Sequence, residues 1–450
     1  MRENHAKQEE LTFEEIDHEH ARELGRMSAI LKENPELGEM VLADLRSGST
    51  KRGAPGLSGE QVLCCAVMQK THTFSYRKLA FHLADSLCMR RFCGFLFGKA
   101  PKKSALQENI SRIREATWTK VRETLSRWAQ KEGLEDALQV RCDSTGVESN
   151  ILKPEDNQLL CDCVRVLARL MRELRRSGVC SFSFRNHSRM AKRRSTAVRN
   201  ASGKANRREP YQDLIQAARK TRLYAERALE AAEGFQGDPA QQAVVLHLCD
   251  RLRHFDGLAA RVIDQTERRV FGDETVPASE KVVSIFEEHT DILRKGKRDP
   301  VYGHKVFLAG GKTGLILDCQ VPRGNPSDTD YAVPLLESQK RIYGRYPQEC
   351  CFDGGFASQG NLTAAKDGME IPQVVFSKKR GLRIEDMVSC PKIYKRLKKF
   401  RAGIEGCISN FKRSYGGGRC NWKGWPHFGQ YVQCATLAFN LMVLARLRLD

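Results

Sequence analysis

Residues 138–146 have the sequence LQVRCDSTG, in which Leu138, Val140 and Cys142 alternate with polar residues and Asp143 ends the alternation. An alternation of this kind predicts a half-buried β-strand that ends at Asp143. Further strands are predicted where short apolar runs lie between turn residues, at 301–308, 314–321, 349–353 and 372–376. When the strand that ends at Asp143 is counted as the first, helical patterns follow the third and the fifth strands. The order of the elements therefore predicts an α/β fold built on one mixed sheet.

The predicted strands occupy only part of the chain, which divides into three regions. The strands of residues 136–150 and 300–450 suit a ribonuclease H-like catalytic domain. Residues 1–135 contain amphipathic helices with basic faces, including one long helix at 104–131, which predicts a helical N-terminal DNA-binding domain. An ordinary helical bundle would have the same pattern. Residues 151–299 predict a large, basic helical insertion between the first two strands.

The charge of the chain restricts the kind of partner that it can have. The 450 residues include 75 Lys and Arg against 55 Asp and Glu, a formal net charge of +20. Such an excess favours a polyanionic partner, either nucleic acid or an anionic membrane. The sequence has no run of about 18 apolar residues, and its first residues lack the apolar core of a signal peptide. We therefore expect a cytoplasmic, nucleoid-associated protein that binds nucleic acid and does not enter a membrane.

Sixteen cysteines are present, and many lie within apolar runs, as small buried side chains do in a reducing compartment. A structural zinc site usually needs two pairs of closely spaced ligands. Cys161 and Cys163 come nearest to one such pair, but no second pair matches them. We predict no zinc site, and the role of these two cysteines stays open.

A block of positive charge lies within the predicted insertion. Residues 174–208 contain eleven Lys and Arg and no acidic residue that could neutralise them. Contacts of such residues with phosphates release counterions, which gives strong but sequence-blind binding. We expect Arg189, Arg193 and Arg194 to contact DNA phosphates. A disordered basic loop without a fixed role is the alternative.

Three acidic residues in different local settings are the candidate catalytic residues: Asp143, Asp353 and Glu405. Asp353 ends a short apolar run and precedes two glycines, whereas Glu405 lies in a strongly basic helical pattern. Each acid alone also has a structural explanation, as a cap, a turn residue or a helical ion pair. On a helix, Arg401, Glu405 and Lys412 fall within about 40° of one another, an arrangement suited to holding both a metal ion and phosphate oxygens. If the three acids converge, they can hold two Mg²⁺ ions, with Mn²⁺ as a substitute, and support phosphodiester cleavage and joining.

Several phrases of the sequence strengthen this interpretation when they are taken together. The spacing Arg401-x3-Glu405-x6-Lys412 resembles the Y-x2-R-x3-E-x6-K signature of bacterial insertion-sequence DDE transposases. The chain as a whole is similar to the ISNCY type of these enzymes, through the phrases SYRKLAFHL at 75–83, DSTGVES at 143–149, YGHKVFLA at 302–309, TGLILD at 313–318, GNPSDTD at 324–330 and DGGFAS at 353–358. One departure is that Lys398 stands where the signature has Tyr.

The resemblance implies a DNA transposase that cleaves the ends of its insertion element and joins the 3′-hydroxyl ends to target DNA. It implies double-stranded DNA partners, namely terminal inverted repeats and target DNA, and a homo-oligomer of at least two copies. Two other functions stay open: a catalytically inactive DNA-binding protein, and a nuclease of the same fold that does not join ends.

Three further residues receive both a functional and a structural interpretation. His304 is expected near the site, where it would orient DNA or a carboxylate, or would serve as a structural histidine. Trp422 and Trp425 would stack on an unpaired base or would pack in the core.

Overall fold

The computed structural model describes residues 18–47, 56–96, 99–179, 181–294, 299–378 and 380–448. The chain forms two compact units, each with its own hydrophobic core. The first, which we call the sheet unit, consists of Met1–Asn150 and Leu293–Asp450. The second, which we call the helical unit, is Ile151–Ile292. The candidate catalytic acids all belong to the sheet unit.

A mixed sheet forms the centre of the sheet unit. Its strands are β1 (Gln139–Glu148), β2 (Asp291–Leu293), β3 (Val301–Gly310), β4 (Ile316–Gln320), β5 (Glu349–Phe352) and β6 (Gln373–Phe376). The strands follow the order β2-β3-β1-β5-β6, and β4 pairs with β3. The β1–β3 and β3–β4 pairs are antiparallel, whereas the β1–β5 and β5–β6 pairs are parallel. The predicted α/β class with a mixed sheet is confirmed.

Most helices of the sheet unit lie before β1 or after β4. They are α1 (Glu19–Glu33), α2 (Glu36–Arg46), α3 (Gly59–Thr71), α4 (Tyr76–Asp85), α5 (Leu87–Phe92), α6 (Lys103–Ser111), α7 (Glu115–Lys131), α12 (Ala332–Tyr343), α13 (Gln359–Thr363), α14 (Ile384–Met387), α15 (Pro391–Ser414) and α16 (Trp425–Leu447). Side chains of the helices before β1 share one core cluster with those of the strands. The predicted boundary of a separate N-terminal domain at residue 135 therefore stays a prediction.

Helix α16 is the most deeply buried helix of this core, and it packs against α1, α3 and α7. Its length and composition would allow it to cross a membrane, but 94% of its most apolar window is buried inside the protein. A helix that is apolar on all sides is expected at the centre of a large core. We therefore interpret α16 as a core helix.

The helical unit is built from α8 (Asp156–Arg176), α9 (Ser188–Asn200), α10 (Gly203–Glu233) and α11 (Pro239–Val270). Leucine and valine side chains of α8 form the centre of its separate core. Asp238 caps α11 by accepting the backbone N–H of Gln241 at 2.8 Å. Because these helices pack on one another around a core of their own, the helical unit has the features of an independently folding domain.

The structure corrects several predicted bounds. The single helix predicted at 104–131 is wrong, because α6 and α7 are separate helices. The reason is a tertiary cap: the backbone N–H of Arg114, the residue before α7, donates to the Asp44 carboxylate at 2.8 Å. Strand β2 was not predicted, and β1 continues five residues beyond its predicted end at Asp143.

Candidate active site

Strand pairing brings the first two acids together. In the parallel β1–β5 ladder the last registered pair is Cys142 with Phe352. The next residues along the two strands are Asp143 and Asp353, and the Asp353 backbone N–H donates to the Cys142 carbonyl at 3.3 Å. The two carboxylates therefore leave the sheet side by side. Asp143 lies in the middle of β1, since only its pairing with β5 ends there.

Helix α15 brings the third acid to the same place. Arg401 Nη2 lies 2.6 Å from Asp143 Oδ2 and 3.2 Å from Asp353 Oδ1, while its Nη1 lies 3.2 Å from Glu405 Oε1. One guanidinium thus contacts all three predicted catalytic acids. Residues that are 52 to 262 positions apart in sequence thus contact the same side chain.

The guanidinium explains how the two aspartates can lie so close together. Asp143 is buried, with only 6% of its surface exposed, and a buried carboxylate needs partners for its charge. Its Oδ1 accepts the Ser144 N–H at 2.7 Å, and Asp353 Oδ1 accepts the Ser377 hydroxyl at 3.0 Å. Two like charges at this separation repel, and the cation of Arg401 between them offsets the repulsion.

Arg141, which the sequence patterns did not single out, holds α15 against the sheet. It is one of the buried charged side chains, with 8% exposed. Its Nη1 donates to the Phe400 carbonyl at 3.1 Å, and its guanidinium lies over the Phe400 ring at 4.8 Å. A Cβ on Gly403 would lie 2.0 Å from Arg141 Nη1, so the helix approaches this closely because residue 403 has no side chain. Arg141 is therefore a positioning residue for Arg401 and Glu405.

The two glycines after Asp353 allow other segments to approach the site. A Cβ on Gly354 would lie 2.6 Å from the side chain of Lys378, and one on Gly355 would lie 2.5 Å from Asp328 Oδ2. Asp328 belongs to the GNPSDTD phrase and pairs with Lys305 of β3 at 3.0 Å. The phrases at 324–330 and 353–358 are thus adjacent in space, which explains why glycines follow the aspartate.

The donor set fits a divalent ion of the Mg²⁺ kind, because the three acids supply the hard carboxylate oxygens that it prefers. In the present arrangement, no group of three or more potential ligands among the described residues is close enough to share one ion. The guanidinium of Arg401 instead contacts all three carboxylates. Its Nε is buried and has no hydrogen-bond partner, so a donor remains for an additional acceptor.

The auxiliary residues Lys412 and His304 lie on different elements, α15 and β3. Lys412 is on α15 two helical turns beyond Glu405 and is half-buried. His304 pairs in register with Val147, four residues beyond Asp143, and is 1% exposed. Its ring packs edge-on against Trp425 and Phe428, with centroids 4.7 Å away in each case. The structure thus gives His304 the surroundings of a structural histidine.

The two tryptophans beyond the glycine triplet belong to packed aromatic groups. Trp422 is 8% exposed and lies edge-on to Tyr431 at 5.5 Å, and the buried Lys70 ammonium lies 4.3 Å from its ring centre. Trp425 is stacked on Phe428 at 5.9 Å and covered by Arg323. These contacts favour the core interpretation of both side chains.

The basic block in the helical unit is ordered over α9, so the alternative of a disordered loop is wrong at 188–200. Arg189 and Arg193 are exposed on this helix, whereas Arg194 pairs with Asp213 at 2.6 Å. Three more cations of the block pair with acids from outside it: Arg199 with Glu155, and Lys204 and Arg208 with Asp273. The expectation that no counter-charge lies nearby is wrong for these four, because the acids come from distant parts of the sequence.

The cysteines behave as small buried or half-buried side chains. The fifteen that the structure describes are all free thiols. Burial raises the pKa of Cys163, which lies in the core of the helical unit, and raises that of Cys161 as well. Neither belongs to a group of potential metal ligands among the described residues.

Comparison with known families agrees with this geometry. Residues 258–441 match the family described as transposase DDE domain, and residues 13–112 match the family described as transposase domain (DUF772). The match to the DDE domain indicates a DDE-type polynucleotidyl transferase. The two matches together support an insertion-sequence DDE transposase. A DDE domain implies the ribonuclease H-like fold, in keeping with the mixed sheet.

The DDE-domain match covers only two of the three candidate catalytic acids. The DDE-domain match contains Asp353, Arg401, Glu405 and Lys412 and begins after Asp143. No curated protein and no solved structure matched the chain. The assignment of Asp143 consequently depends on its position in the sheet beside Asp353.

Proposed function

We propose that this transposase cleaves the ends of its own insertion element and joins the resulting 3′-hydroxyl ends to target DNA. The observation that carries the proposal is the convergence of Asp143, Asp353 and Glu405, from two strands and a helix, on the one guanidinium of Arg401. A surface ion pair would involve two of these residues at most, and would not need the buried carboxylate of Asp143.

The three acids are the proposed ligands of two divalent ions, Mg²⁺ or in its place Mn²⁺. When bound, two such metal ions activate the attacking oxygen and stabilise the leaving oxygen of an in-line displacement. The chain's own contribution is the placement of the ligands. Asp143 and Asp353 are fixed by the parallel ladder, and Arg141 fixes the helix that carries Glu405.

Arg401 has two roles in this proposal. Without DNA and metal, its guanidinium neutralises the carboxylates and holds them together. On DNA, it would turn to the phosphate next to the scissile bond, and its Nε, which is buried and without a partner in the present arrangement, would then also donate. Lys412, two turns further along α15, would contact the same backbone. The movement of one side chain would thus free the acids and bind the substrate.

The exposed cations of the helical unit are proposed to bind DNA outside the active site. Arg189 and Arg193 lie on the solvent side of α9, and phosphate contacts there would hold the duplex without reading its sequence. In the proposed domain organisation, residues 1–135 bind DNA and residues 136–150 and 300–450 form the catalytic domain. The insertion at 151–299 adds the phosphate contacts of α9. Pairing of two element ends requires at least two copies of the chain.

The test is strand cleavage and strand transfer on duplexes that carry the ends of the encoding element. Wild type is compared with Asp353→Asn and Glu405→Gln in Mg²⁺, in Mn²⁺ and in EDTA. We expect each variant to lose roughly a thousandfold in rate or more, since a lost ligand removes several kcal/mol of transition-state stabilisation. Asp367→Asn is the matched control, because Asp367 is exposed and belongs to another segment.

The three functions give different results in this assay. Cleavage without joined products would identify a nuclease, and binding without metal-dependent cleavage would identify an inactive DNA-binding protein. Activity that survives both substitutions would show that other residues hold the metal.

A further inference from the structure

The carboxyl ends of three neighbouring strands place three residues in a row beside the candidate active site. Strands β1, β5 and β6 are adjacent in the sheet and parallel to one another. The last registered pair of β5 with β6 is Phe352 with Phe376, so Ser377 follows β6 at the level at which Asp353 follows β5. Because Asp353 lies beside Asp143 in the same way, the row is Asp143, Asp353 and Ser377.

Ser377 contacts Asp353 through its side chain and is held in place by its main chain. Its hydroxyl donates to Asp353 Oδ1 at 3.0 Å, and its backbone N–H donates to the Phe352 carbonyl at 3.0 Å. The next residue, Lys378, packs on the glycine that follows the aspartate, since a Cβ on Gly354 would lie 2.6 Å from the Lys378 side chain. The hydroxyl is therefore positioned without any contribution from metal or DNA.

The two aspartates differ in the partner that would stay with each of them when Arg401 moves. Asp143 Oδ1 accepts the Ser144 backbone N–H at 2.7 Å, a contact that depends on the main chain of β1. Asp353 Oδ1 accepts the Ser377 hydroxyl and is also the oxygen that Arg401 approaches, at 3.2 Å. If the guanidinium turns to a DNA phosphate, the hydroxyl of Ser377 stays on the Asp353 carboxylate.

The hydroxyl is not needed to hold the end of β6. The Ser377 N–H already continues the ladder with β5, and the Tyr394 hydroxyl of α15 donates to the Phe376 carbonyl at 3.3 Å. The Asp353 side chain, in contrast, is 25% exposed, whereas that of Asp143 is 8% exposed. A carboxylate that is less enclosed has more rotational freedom to lose, so the hydrogen bond from Ser377 contributes to its orientation more than to the fold.

We infer that Ser377 is a positioning residue for Asp353: its hydroxyl keeps the carboxylate in the orientation that accepts a divalent ion after Arg401 has turned away. Hydrogen bonds to the ligands of a metal ion orient those ligands and raise the affinity for the ion. The inference rests on the proposed function, in which Asp353 is a metal ligand. Because Ser377 acts through Asp353, its loss should change the metal affinity more than the rate at saturating metal.

The experiment measures metal affinity and catalysis separately. Mn²⁺ binding to the full-length chain is followed by the electron paramagnetic resonance signal of free Mn²⁺, and the ions bound by wild type but not by Asp353→Asn define the site. Cleavage of a duplex that carries an element end is then measured against Mg²⁺ concentration. The variants are Ser377→Ala, which removes the hydroxyl, and Ser377→Thr, which keeps it.

Ser389→Ala is the matched control. Ser389 is exposed, and its hydroxyl accepts the side-chain N–H of Gln373, the first residue of β6, at 3.3 Å. The control thus removes a hydroxyl hydrogen bond from the same strand, at the end away from the three acids. Thermal unfolding in EDTA shows whether each variant is folded.

We expect Ser377→Ala to weaken Mn²⁺ binding at the site roughly tenfold, and to raise by a similar factor the Mg²⁺ concentration that gives half-maximal cleavage. At saturating metal its rate should return to within about threefold of wild type, because only the binding of the ion is impaired. Ser377→Thr should stay close to wild type in both measurements, since the hydroxyl remains. Ser389→Ala should match wild type.

Three results would overturn the inference. They are Ser377→Ala with the Mn²⁺ affinity of wild type, Ser377→Thr with the same defect as Ser377→Ala, and a lower rate at saturating metal with unchanged affinity. Asp353→Asn distinguishes these results from failure of the proposed function. If Asp353→Asn binds Mn²⁺ and cleaves as wild type does, both the metal assignment and this inference are wrong. If Asp353→Asn is impaired and Ser377→Ala is not, the proposed function stands and only the role of Ser377 is wrong.

Discussion

Helices α15 and α9 have similar compositions and use their positive charge in different ways. Helix α15 carries eight Lys and Arg with one acid, and α9 carries five with none. In α15 one cation, Arg401, is 14% exposed and contacts three carboxylates from three elements. In α9 the cations Arg189 and Arg193 are exposed and act as separate charges. The effect of a buried cation depends on the geometry of its contacts, whereas the effect of exposed cations depends on their number and on the salt concentration.

The strongest way to test this contrast is to remove the buried cation. Arg401→Gln leaves Asp143 and Asp353 close together without the intervening charge, so we expect a loss of about 3 kcal/mol in the free energy of unfolding in EDTA. Mn²⁺ should restore more stability to this variant than to wild type, because an ion would then occupy the position of the guanidinium. Denaturant unfolding with and without Mn²⁺ measures both effects.

A matched control for this prediction lies on the same helix. Arg396 also pairs with a carboxylate, that of Glu349, but it is half exposed. Arg396→Gln should cost under about 1 kcal/mol, as surface pairs do, and should not respond to Mn²⁺. Equal losses for the two variants would mean that burial does not distinguish Arg401.

A smaller effect is expected from the glycine that lets Arg141 reach α15. In Gly403→Ala the new Cβ would collide with the Arg141 guanidinium, so we expect a loss of about 1–3 kcal/mol together with slower DNA cleavage. Gly406→Ala, on the same helix with open space around its Cβ position, should gain up to about 1 kcal/mol because alanine favours helix. If both variants are stabilised, Arg141 does not determine the position of α15.

The smallest effect should come from the exposed helix. Changing Arg189 and Arg193 together to Ala should weaken binding to any duplex, and the slope of log affinity against log salt should fall by about 0.9 for each phosphate that is no longer neutralised. Stability should not change. Arg227→Ala, at an exposed arginine of α10, is the control. An unchanged salt slope in the double variant would remove α9 from the DNA surface.

The same contrast explains what the sequence could and could not predict. The periodicity of the apolar residues and the positions of turn residues locate β1, β5 and α15. The spacing of Arg401 and Glu405 likewise indicates that they share a helical face. These features can be predicted because their signals are local in the sequence. The pairing of Arg194 with Asp213, the cap from Asp44 on α7 and the contact of Arg141 with Phe400 join distant segments and leave no local pattern. Gly403 could have been noticed as a glycine inside a helix, but the reason that a glycine is needed there, the close approach of Arg141, is visible only in three dimensions.

The pairing of β1 also has a consequence for how the protein is made. Its ladder partners are residues 303–310 and 349–352, which leave the ribosome more than 150 residues later. Until then, β1 presents two unpaired edges, and an unpaired strand edge can associate with other chains. The segment synthesised in between is the helical unit, which has its own core and can fold before β1 pairs with its neighbouring strands. We therefore expect truncations that end before residue 352 to aggregate, and Asp143, the first of the three proposed catalytic acids, to be among the last residues to reach its final place.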